Sequence, residues 1–555
     1  MTGNTGRPSA GALGWSGVRV GAWAVGIAVA LYQMVVFRQW VNGDAISYFD
    51  MSDAIPSHQW SRLVSATWSP LYPALIGLLN TVLHPSAAWE FPVAHLVNFL
   101  CFLLAFVSFE FLLRSMLGSG SPPGEPLPRW AVLVIGYSLF LWASLGMLTL
   151  MKPTPDMLMS AFLYLSVGLL IRLRTAPDRW RDWVVFGVVL GVGYLAKAIM
   201  FPLGVIMLLA SLGFSGDLRR RVLRTALAGC CFAVIAGPFM AAVSRVAHRP
   251  TFGEAGTVVH LLYLDKIAPY WQSTGDATGA FIHPVKKLVG LDPPAFSFAR
   301  PISVTTAIWY DPYYWTEGVR PGFQWQRQRL ILRRNVWIYL GVLERMAGLG
   351  LALVVLWWAA GLRGTVASIF AFWPMLLVGA AALGAYATLH VEERYLGAFL
   401  AVIWLALLYG VRTLRPLTPR LVGALVAVIV LNLGWDTTSQ ILGDVKDNAS
   451  KNQIHDFEAS VALHERGIAP GDRVASISPW VASGWARLAR VSIIAEVQRT
   501  RANEFWNSSE EYQRAVLAAF AAEGCKAVIS WVGDMALPAG WQRLGDSPYA
   551  VHLLS

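Results

Sequence analysis

The feature that most restricts the fold of this chain is a series of apolar runs, each close to the length that crosses a membrane. A helix that spans the ~30 Å hydrocarbon layer takes roughly 17 to 25 residues. The shorter run 71–83 follows Pro70 and favours an interfacial or re-entrant helix. The remaining runs predict eleven spans, at residues 20–37, 92–113, 131–150, 157–171, 183–197, 199–214, 223–244, 346–362, 366–386, 395–411 and 420–435.

The distribution of arginine predicts how these spans are oriented. Short connections between spans carry more basic residues on the cytoplasmic side of a membrane than on the outer side. If the N-terminus lies in the cytoplasm, the arginine-rich connections all fall on the inner side. Their arginines are Arg114, Arg129, Arg172, Arg174, Arg179, Arg181, Arg219, Arg220, Arg221, Arg224, Arg363, Arg412, Arg415 and Arg420.

Composition supports an α-helical polytopic protein of the cytoplasmic membrane. Of the 555 residues, 56% are hydrophobic and 14% are charged, against roughly 25% charged in a soluble protein. The net charge of +11 comes from arginines spread over the short connections, so it does not indicate a nucleic-acid partner. Three of the four cysteines lie in apolar runs, and no disulfide framework is expected.

The sequence predicts that the chain is divided into two parts. Residues 1–435 form a transmembrane module with large outer loops at 38–70 and 245–345. Residues 436–555 are more polar and alternate between helix-like and strand-like segments, which predicts a small extracytoplasmic α/β domain. Its expected helices lie near 453–466 and 509–523, and its expected strands at 473–477, 491–494 and 527–531.

Ionisable side chains stand at three outer membrane edges that are far apart in the chain. Asp44 follows the first span, and Lys152 and Asp156 lie in the turn between spans three and four. The turn between spans nine and ten holds His390, Glu393 and Arg394. Charged residues at membrane depth tend to be functional. The alternatives are that the aspartates cap helices and that Lys152 and Arg394 extend to the lipid headgroups.

A lipid-linked phosphate is the kind of substrate that this arrangement fits. Its headgroup lies at the outer surface, where Lys152 and Arg394 would bind the phosphate. Asp44 would take the proton of an acceptor hydroxyl while the acceptor attacks the sugar, a single displacement with inversion. Asp44 and Asp156 are a thin oxygen-ligand set for a divalent metal ion, so a required metal is not favoured.

Several short stretches resemble the GT-C membrane glycosyltransferases, especially the bacterial protein-mannosyltransferase-like and aminoarabinose-transferase-like branch. The likeness spans about residues 20–430 in order and topology. It is carried by Gly43-Asp44-Ala45 with Tyr48, Trp68-Ser69-Pro70-Leu71-Tyr72-Pro73, Thr154-Pro155-Asp156, Gly191-Val192-Gly193-Tyr194-Leu195-Ala196-Lys197 and Glu393-Arg394-Tyr395.

This resemblance implies a function and a set of site residues. In the family, the acid of the first loop is the catalytic base, which corresponds to Asp44, and the donor is usually a polyprenyl-phosphate sugar. Tyr48, Asp156, His390 and Glu393 are expected to support the site. The acceptor would be a glycan, a lipid or a protein at the outer face of the membrane.

Two other functions remain open from the sequence. A lipid-linked glycan polymerase or ligase would share the outer basic residues and the large outer loop. A transporter or flippase would place ionisable residues near the middle of the bilayer. Most ionisable residues of the spans lie at the outer edge instead, which favours an enzyme that works at the surface.

Overall fold

The computed structural model describes residues 10–119, 125–267, 272, 277–288, 290–298, 303–449, 455–479 and 483–554. Most of them are helical. The α-helices are α1 Ala10–Val36, α2 Gly43–Ser52, α3 Leu71–Leu83, α4 Ala87–Gly118, α5 Arg129–Leu141, α6 Asp156–Thr175, α7 Trp180–Ala196, α8 Met200–Leu212, α9 Leu218–Val246, α10 Ala255–Tyr263, α11 Ala307–Tyr310, α12 Trp325–Arg345, α13 Ala347–Ala371, α14 Trp373–Thr388, α15 Glu393–Gly410, α16 Pro419–Ala449, α17 His455–Glu465, α18 Gly484–Leu488, α19 Ala502–Trp506 and α20 Glu510–Ala522.

The expected polytopic helical architecture is confirmed. Each of the eleven apolar runs lies on helices, and eight helical segments of the described residues are long and apolar enough to cross a membrane. They are α1, α4, α5 with the π-helical turn Trp142–Leu148 that continues it, α6, α9, α13, α15 and α16. The count of eleven spans is not confirmed, because three of the expected spans lie on shorter helices: α7, α8 and α14 have 17, 13 and 16 residues. At 1.5 Å per residue these helices rise about 26, 20 and 24 Å, less than the hydrocarbon thickness.

The expected span 366–386 is interrupted in the structure. Helix α13 ends at Ala371 and α14 begins at Trp373, with Pro374 in its first turn. Proline is favoured at the start of a helix but removes a hydrogen bond from a helix interior. A second irregularity, at Gly361 inside α13, has φ of 67°, which glycine adopts without steric cost.

A short irregular turn between the π-helical segment and α6 is held by side chains of two other helices. The Gln33 amide donates to Leu145 O (2.7 Å) and accepts from the Leu150 N–H (2.9 Å). From α4, Asn98 Nδ2 donates to Lys152 O at 2.7 Å. Buried backbone groups outside regular structure need such partners. These hydrogen bonds therefore fix the position at which α6 begins.

The C-terminal part of the chain builds a sheet together with strands from the long loop. The strands are β1 Glu125–Pro126, β2 Thr278–Gly279, β3 Lys286–Lys287, β4 Ala295–Ser297, β5 Val319–Arg320, β6 Arg412–Thr413, β7 Arg473–Ile477, β8 Ser492–Val497, β9 Ala527–Trp531, β10 Trp541–Arg543 and β11 Tyr549–Leu553. Seven of them form one sheet in the order β10-β11-β9-β7-β8-β4-β3, in which β7 is parallel to both β8 and β9. Small pairs β1–β6 and β2–β5 lie elsewhere.

This sheet differs from the expected division of the chain at residue 436. Two of its strands, β3 and β4, come from the loop 245–345, which the sequence assigned to the membrane module. Helix α16 also continues through residue 436 to Ala449. Strand β4 pairs with β8 across about 200 residues of sequence, and a pairing of that kind leaves no local signal in the sequence.

Helices α7 and α9 pack at a distance that only glycine permits. A Cβ atom at Gly187 would lie 2.1 Å from Ala228 O and 2.8 Å from Cys231 Cβ. Small residues commonly allow such close approach of helices within membranes. On α9 itself, a Cβ atom at Gly229 would meet no atom within 4 Å.

We therefore expect Gly187→Ala to destabilise the protein and Gly229→Ala to leave it as stable or more so. Overpacking of a close contact costs about 1–3 kcal/mol, whereas replacing glycine by alanine inside a helix gains up to about 1 kcal/mol. The measurement is the thermal unfolding midpoint of the purified protein in detergent. Equal midpoints for the two variants would contradict the close packing of α7 against α9.

Candidate active site

The side chain of Arg394 is the centre of a buried cluster of charges. It lies in the first turn of α15 and is 8% exposed. Its Nη2 donates to Asp44 Oδ2 at 3.1 Å, its Nη1 to Asp156 Oδ2 at 3.4 Å and its Nε to Glu392 Oε2 at 2.7 Å. Three carboxylates from three remote chain segments therefore meet at one guanidinium group.

Asp156 is the most buried of these carboxylates, with a side chain 2% exposed. It opens α6, directly after the turn that the polar side chains of α1 and α4 hold in place. It accepts a hydrogen bond from Thr154 Oγ1 at 2.9 Å and forms an ion pair with Lys197 Nζ. Lys197 follows the last residue of α7, and its ammonium group lies 4.3 Å from the centre of the Tyr395 ring. Asp156 is thus compensated by two cations.

Asp44 is more accessible, with a side chain 21% exposed. It lies in the first turn of α2, where Asn42 is the N-cap residue and no side chain caps the helix. Asp44 is therefore not the cap of this helix, and that alternative does not hold. Within the described residues, its side chain has a single hydrogen-bond partner, Arg394.

Aromatic rings line one side of the cluster. Tyr48 is 5% exposed and packs edge-on against Trp68 and Tyr72, at 5.4 and 5.5 Å between ring centres. Burial, and then the nearby carboxylate of Asp44, raise the pKa of the Tyr48 hydroxyl well above its ordinary value. Tyr48 therefore stays neutral beside these charges and can act as a hydrogen-bond donor, but not as a base, near neutral pH.

His390 joins the cluster indirectly. Its Nε2 lies 3.5 Å from Glu392 Oε1, and its ring stacks on Tyr263 with 3.9 Å between ring centres. Burial alone would raise the pKa of Glu392, but the hydrogen bonds from His390 and Arg394 lower it far below its ordinary value. Glu392 is therefore ionised at any physiological pH.

Two of the residues expected at the site lie in other contacts. Glu393 forms an ion pair with Arg345 Nη2 at 2.6 Å and has no described contact with Arg394. Lys152 has no described contact with Asp44 or Arg394, and its side chain is close enough to Asp444 of α16 to interact with it electrostatically. Adjacent positions at a helix start point in different directions, which explains why Arg394 and Glu393 separate.

Lys197, Glu392 and Tyr263 belong to the cluster, although they were not among the candidate site residues. Lys197 had a signal, because a lysine at the end of an apolar run is costly and needs a partner. Glu392 was adjacent to candidates but was indistinguishable from Glu393 by sequence alone. Tyr263 lies in the loop 245–345, where no pattern in the sequence relates it to His390.

The groups in direct contact around Arg394 are three carboxylates, of Asp44, Asp156 and Glu392, and two cations, Arg394 and Lys197. Each carboxylate already faces a cation. In the described part of the chain, no group of three or more histidine, cysteine or acidic side chains is placed to hold a metal ion. The expectation that no metal is required stays a prediction.

Comparison with solved structures places the fold. The chain is similar to ArnT from Cupriavidus metallidurans in the apo state, with a TM-score of 0.52 and 12% identity, over 96% of this chain and 98% of that one. The crystal structure of the same protein bound to undecaprenyl phosphate gives the same score and identity, over 96% and 97% of the two chains. No protein-family model matches the sequence, and neither does any curated protein.

The similarity extends over nearly the whole length of both chains. At this identity it establishes the fold. The expected GT-C-like fold is therefore confirmed, and the likeness to ArnT is one of fold.

Proposed function

We propose that this protein is a glycosyltransferase that moves a sugar from a polyprenyl-phosphate donor to an acceptor at the outer face of the membrane. The observation that carries the proposal is the contact between Asp44 and Arg394, which pairs a partly accessible carboxylate with a guanidinium group. The two groups suit the two tasks of such a reaction, proton removal and phosphate binding. The fold shared with ArnT, which was crystallised with undecaprenyl phosphate, supports the donor class.

Arg394 would bind the donor phosphate in place of one of the three carboxylates that it contacts. Asp156 is held by Lys197 and Thr154 as well as by Arg394, so it stays in place. The bond from Arg394 to Asp44 is longer than the bond to Glu392, at 3.1 against 2.7 Å. A phosphate oxygen would therefore take the Nη2 position and release Asp44.

Asp44 would then accept the proton from the acceptor hydroxyl. The acceptor oxygen forms a bond to the anomeric carbon as the bond from that carbon to the phosphate oxygen breaks. Polyprenyl phosphate leaves with the electron pair of that bond, and Arg394 stabilises its charge. A single displacement of this kind inverts the anomeric configuration.

For the second cation at the phosphate, the geometry favours Lys197 over Lys152. Lys197 shares Asp156 with Arg394, whereas the described electrostatic partner of the Lys152 side chain is Asp444 of α16. We also propose that no divalent metal ion takes part, since the carboxylates near Arg394 are already paired with cations. Membrane lipids surround the protein, and a glycan, lipid or protein is the acceptor.

Asp44→Asn tests the proposed base. Asparagine keeps the shape of the side chain but cannot accept the proton, and general-base contributions are typically about 10²–10⁴-fold in rate. We expect turnover with a polyprenyl-phosphate sugar to fall by about that factor while donor binding is retained. The measurement is radiolabelled sugar transfer by the protein reconstituted in liposomes.

The matched control is Asp178→Asn, which changes an aspartate that is 82% exposed and pairs with Arg224. This variant should transfer sugar at the rate of the unchanged protein. If Asp44→Asn also retained that rate while it remained folded and inserted, Asp44 would not be the base. Transfer only from a pyrophosphate-linked glycan would favour the polymerase or ligase instead.

Substitution of Arg394 should affect donor capture. Arg394→Ala removes the guanidinium group, so we expect the donor KM to rise, by about tenfold or more if it binds as a charge-assisted pair of ~1.5–3 kcal/mol. Arg394→Lys should restore part of the affinity, because lysine keeps the charge but lacks the planar fork. Steady-state kinetics over a range of donor concentrations measures both. An unchanged donor KM in Arg394→Ala would exclude Arg394 as the phosphate ligand.

The proposed orientation is tested by labelling with a membrane-impermeant maleimide. In a background without cysteine, Ile282→Cys and Glu511→Cys should react in intact cells, because both positions are exposed in parts assigned to the outside. Arg219→Cys, in an arginine-rich inner connection, should react only after permeabilisation. The opposite pattern would place the N-terminus outside and the site in the cytoplasm.

A further inference from the structure

A second arginine, Arg487 of the C-terminal part, is also surrounded by three carboxylates. It lies in α18, and its Nη1 donates to Asp50 Oδ1 at 2.9 Å and to Asp53 Oδ2 at 2.7 Å. Its Nη2 donates to Asp53 Oδ1 at 2.7 Å and to Glu90 Oε1 at 2.5 Å, and its Nε donates to Glu90 Oε1 at 2.9 Å. Every N–H-bearing nitrogen of the guanidinium group is therefore used.

This cluster is buried where the C-terminal sheet region meets the membrane helices. The side chains of Arg487, Asp50 and Glu90 are each 3% exposed or less, and that of Asp53 is 30% exposed. Burial raises the pKa of Asp50 to about 6, although Arg487 acts in the opposite direction. Burial alone would also raise the pKa of Asp53, but Arg487 lowers it below its ordinary value. Three acids so close together in a buried place require cations, and Arg490 also takes part, with its Nη2 3.0 Å from Glu90 Oε2 and its Nη1 3.7 Å from Asp53 Oδ1.

Two of the three acids that bind Arg487, Asp50 and Asp53, belong to the element that carries Asp44, whereas Glu90 lies in α4. Asp44 lies in the first turn of α2, Asp50 near its end, and Asp53 is its C-cap residue. Asp44 and Asp50 are about 9 Å apart along the helix axis, at 1.5 Å per residue. Every residue from Ala45 to Ser52 is buried, so packing holds α2 along most of its length.

Other hydrogen bonds of α2 are made with residues 305–309 of the loop 245–345. Ser47 Oγ donates to Trp309 O at 2.8 Å, and the Thr305 N–H and hydroxyl donate to Asp50 at 3.0 and 2.8 Å. None of these contacts holds the carboxylate of Asp44 itself, whose described hydrogen-bond partner is Arg394. Once a donor phosphate binds Arg394 in place of Asp44, the position of Asp44 depends on α2 alone.

We propose that Arg487 is a positioning residue for the transfer reaction, which holds α2 through Asp50 and Asp53 so that Asp44 faces the acceptor hydroxyl. This inference rests on the proposed function and gives the C-terminal part of the chain a role in it. A base misplaced by 1 Å can lose about 100-fold in rate. Arg487 touches no reacting group and acts only through α2.

The test compares variants on both sides of the contact. Arg487→Gln removes the charge, Arg487→Lys keeps the charge without the fork, and Asp53→Asn weakens the contact from the side of α2 at a partly exposed position. The control is Arg543→Gln, an arginine of the same region whose hydrogen bonds go to Gly533 O and Met535 O, away from α2. For each, donor-binding sites are titrated with a polyprenyl-phosphate sugar, and kcat per site and donor KM are measured in liposomes.

We expect kcat per donor-binding site to fall about 10- to 100-fold in Arg487→Gln and less in Arg487→Lys, with donor KM within twofold of the unchanged protein. Asp53→Asn should lower kcat per site about three- to tenfold, and Arg543→Gln should not change it. A protein that merely unfolds loses binding sites rather than kcat per site, so the two effects separate. If Arg487→Gln does not insert, Asp53→Asn and Arg487→Lys decide the question.

The inference is overturned if Asp53→Asn and Arg487→Lys keep kcat per site within twofold, or if they lose activity only in proportion to lost donor sites. In either case, sugar transfer by the unchanged protein and its loss in Asp44→Asn would leave the proposed function standing. Absence of transfer by the unchanged protein and by Arg543→Gln would instead refute the proposed function.

Discussion

The structure depends on how a charged side chain is accommodated where water is scarce. An isolated charge in a low-dielectric interior is very unfavourable. It therefore needs partners of the opposite sign, and its remaining hydrogen-bond donors or acceptors need partners as well. Arg394 illustrates this constraint, because each of its three nitrogen atoms meets a carboxylate. To supply these partners, the starts of α2, α6 and α15 must converge, and the irregular turn before α6 must be fixed by Gln33 and Asn98. The packing of these three helix starts against one another follows from that requirement.

Most of the helical architecture could be predicted from the sequence, because apolar runs record helix position directly. The strands 473–477 and 527–531 were predicted with their observed bounds, since buried strands read as short apolar runs. The breaks were not predictable in the same way. Where α13 gives way to α14 the chain stays apolar, and only Pro374 marks the change. The contribution of β3 and β4 to the sheet was also hidden, because it depends on a pairing between residues about 200 positions apart.

For the candidate site, the sequence predicted which chain segments meet better than it predicted which side chains pair with each other. Asp44, Asp156 and Arg394 were candidates and do meet, because acids and cations at the same membrane depth tend to pair. Lys152 and Glu393 were chosen on the same reasoning, but Lys152 interacts electrostatically with Asp444 and Glu393 forms an ion pair with Arg345. Depth in the membrane is readable from a sequence, but the direction of a side chain around a helix start is not. The roles of all these residues in catalysis remain predictions.

The two arginine clusters differ in a way that bears on how α2 could work. Around Arg487 the hydrogen bonds are 2.5–2.9 Å long, and two of the three acids are almost completely buried. Around Arg394 the bonds to Asp44 and Asp156 are 3.1 and 3.4 Å long, and Asp44 is 21% exposed. Shorter charge-assisted bonds are the stronger ones, and a buried pair is hard to separate because each charge would be left uncompensated. One end of α2 is therefore held by shorter and more buried contacts, while in the proposed mechanism a donor phosphate would replace the carboxylate at the other end. A general base needs both properties, since it must be released from its resting partner without losing its position.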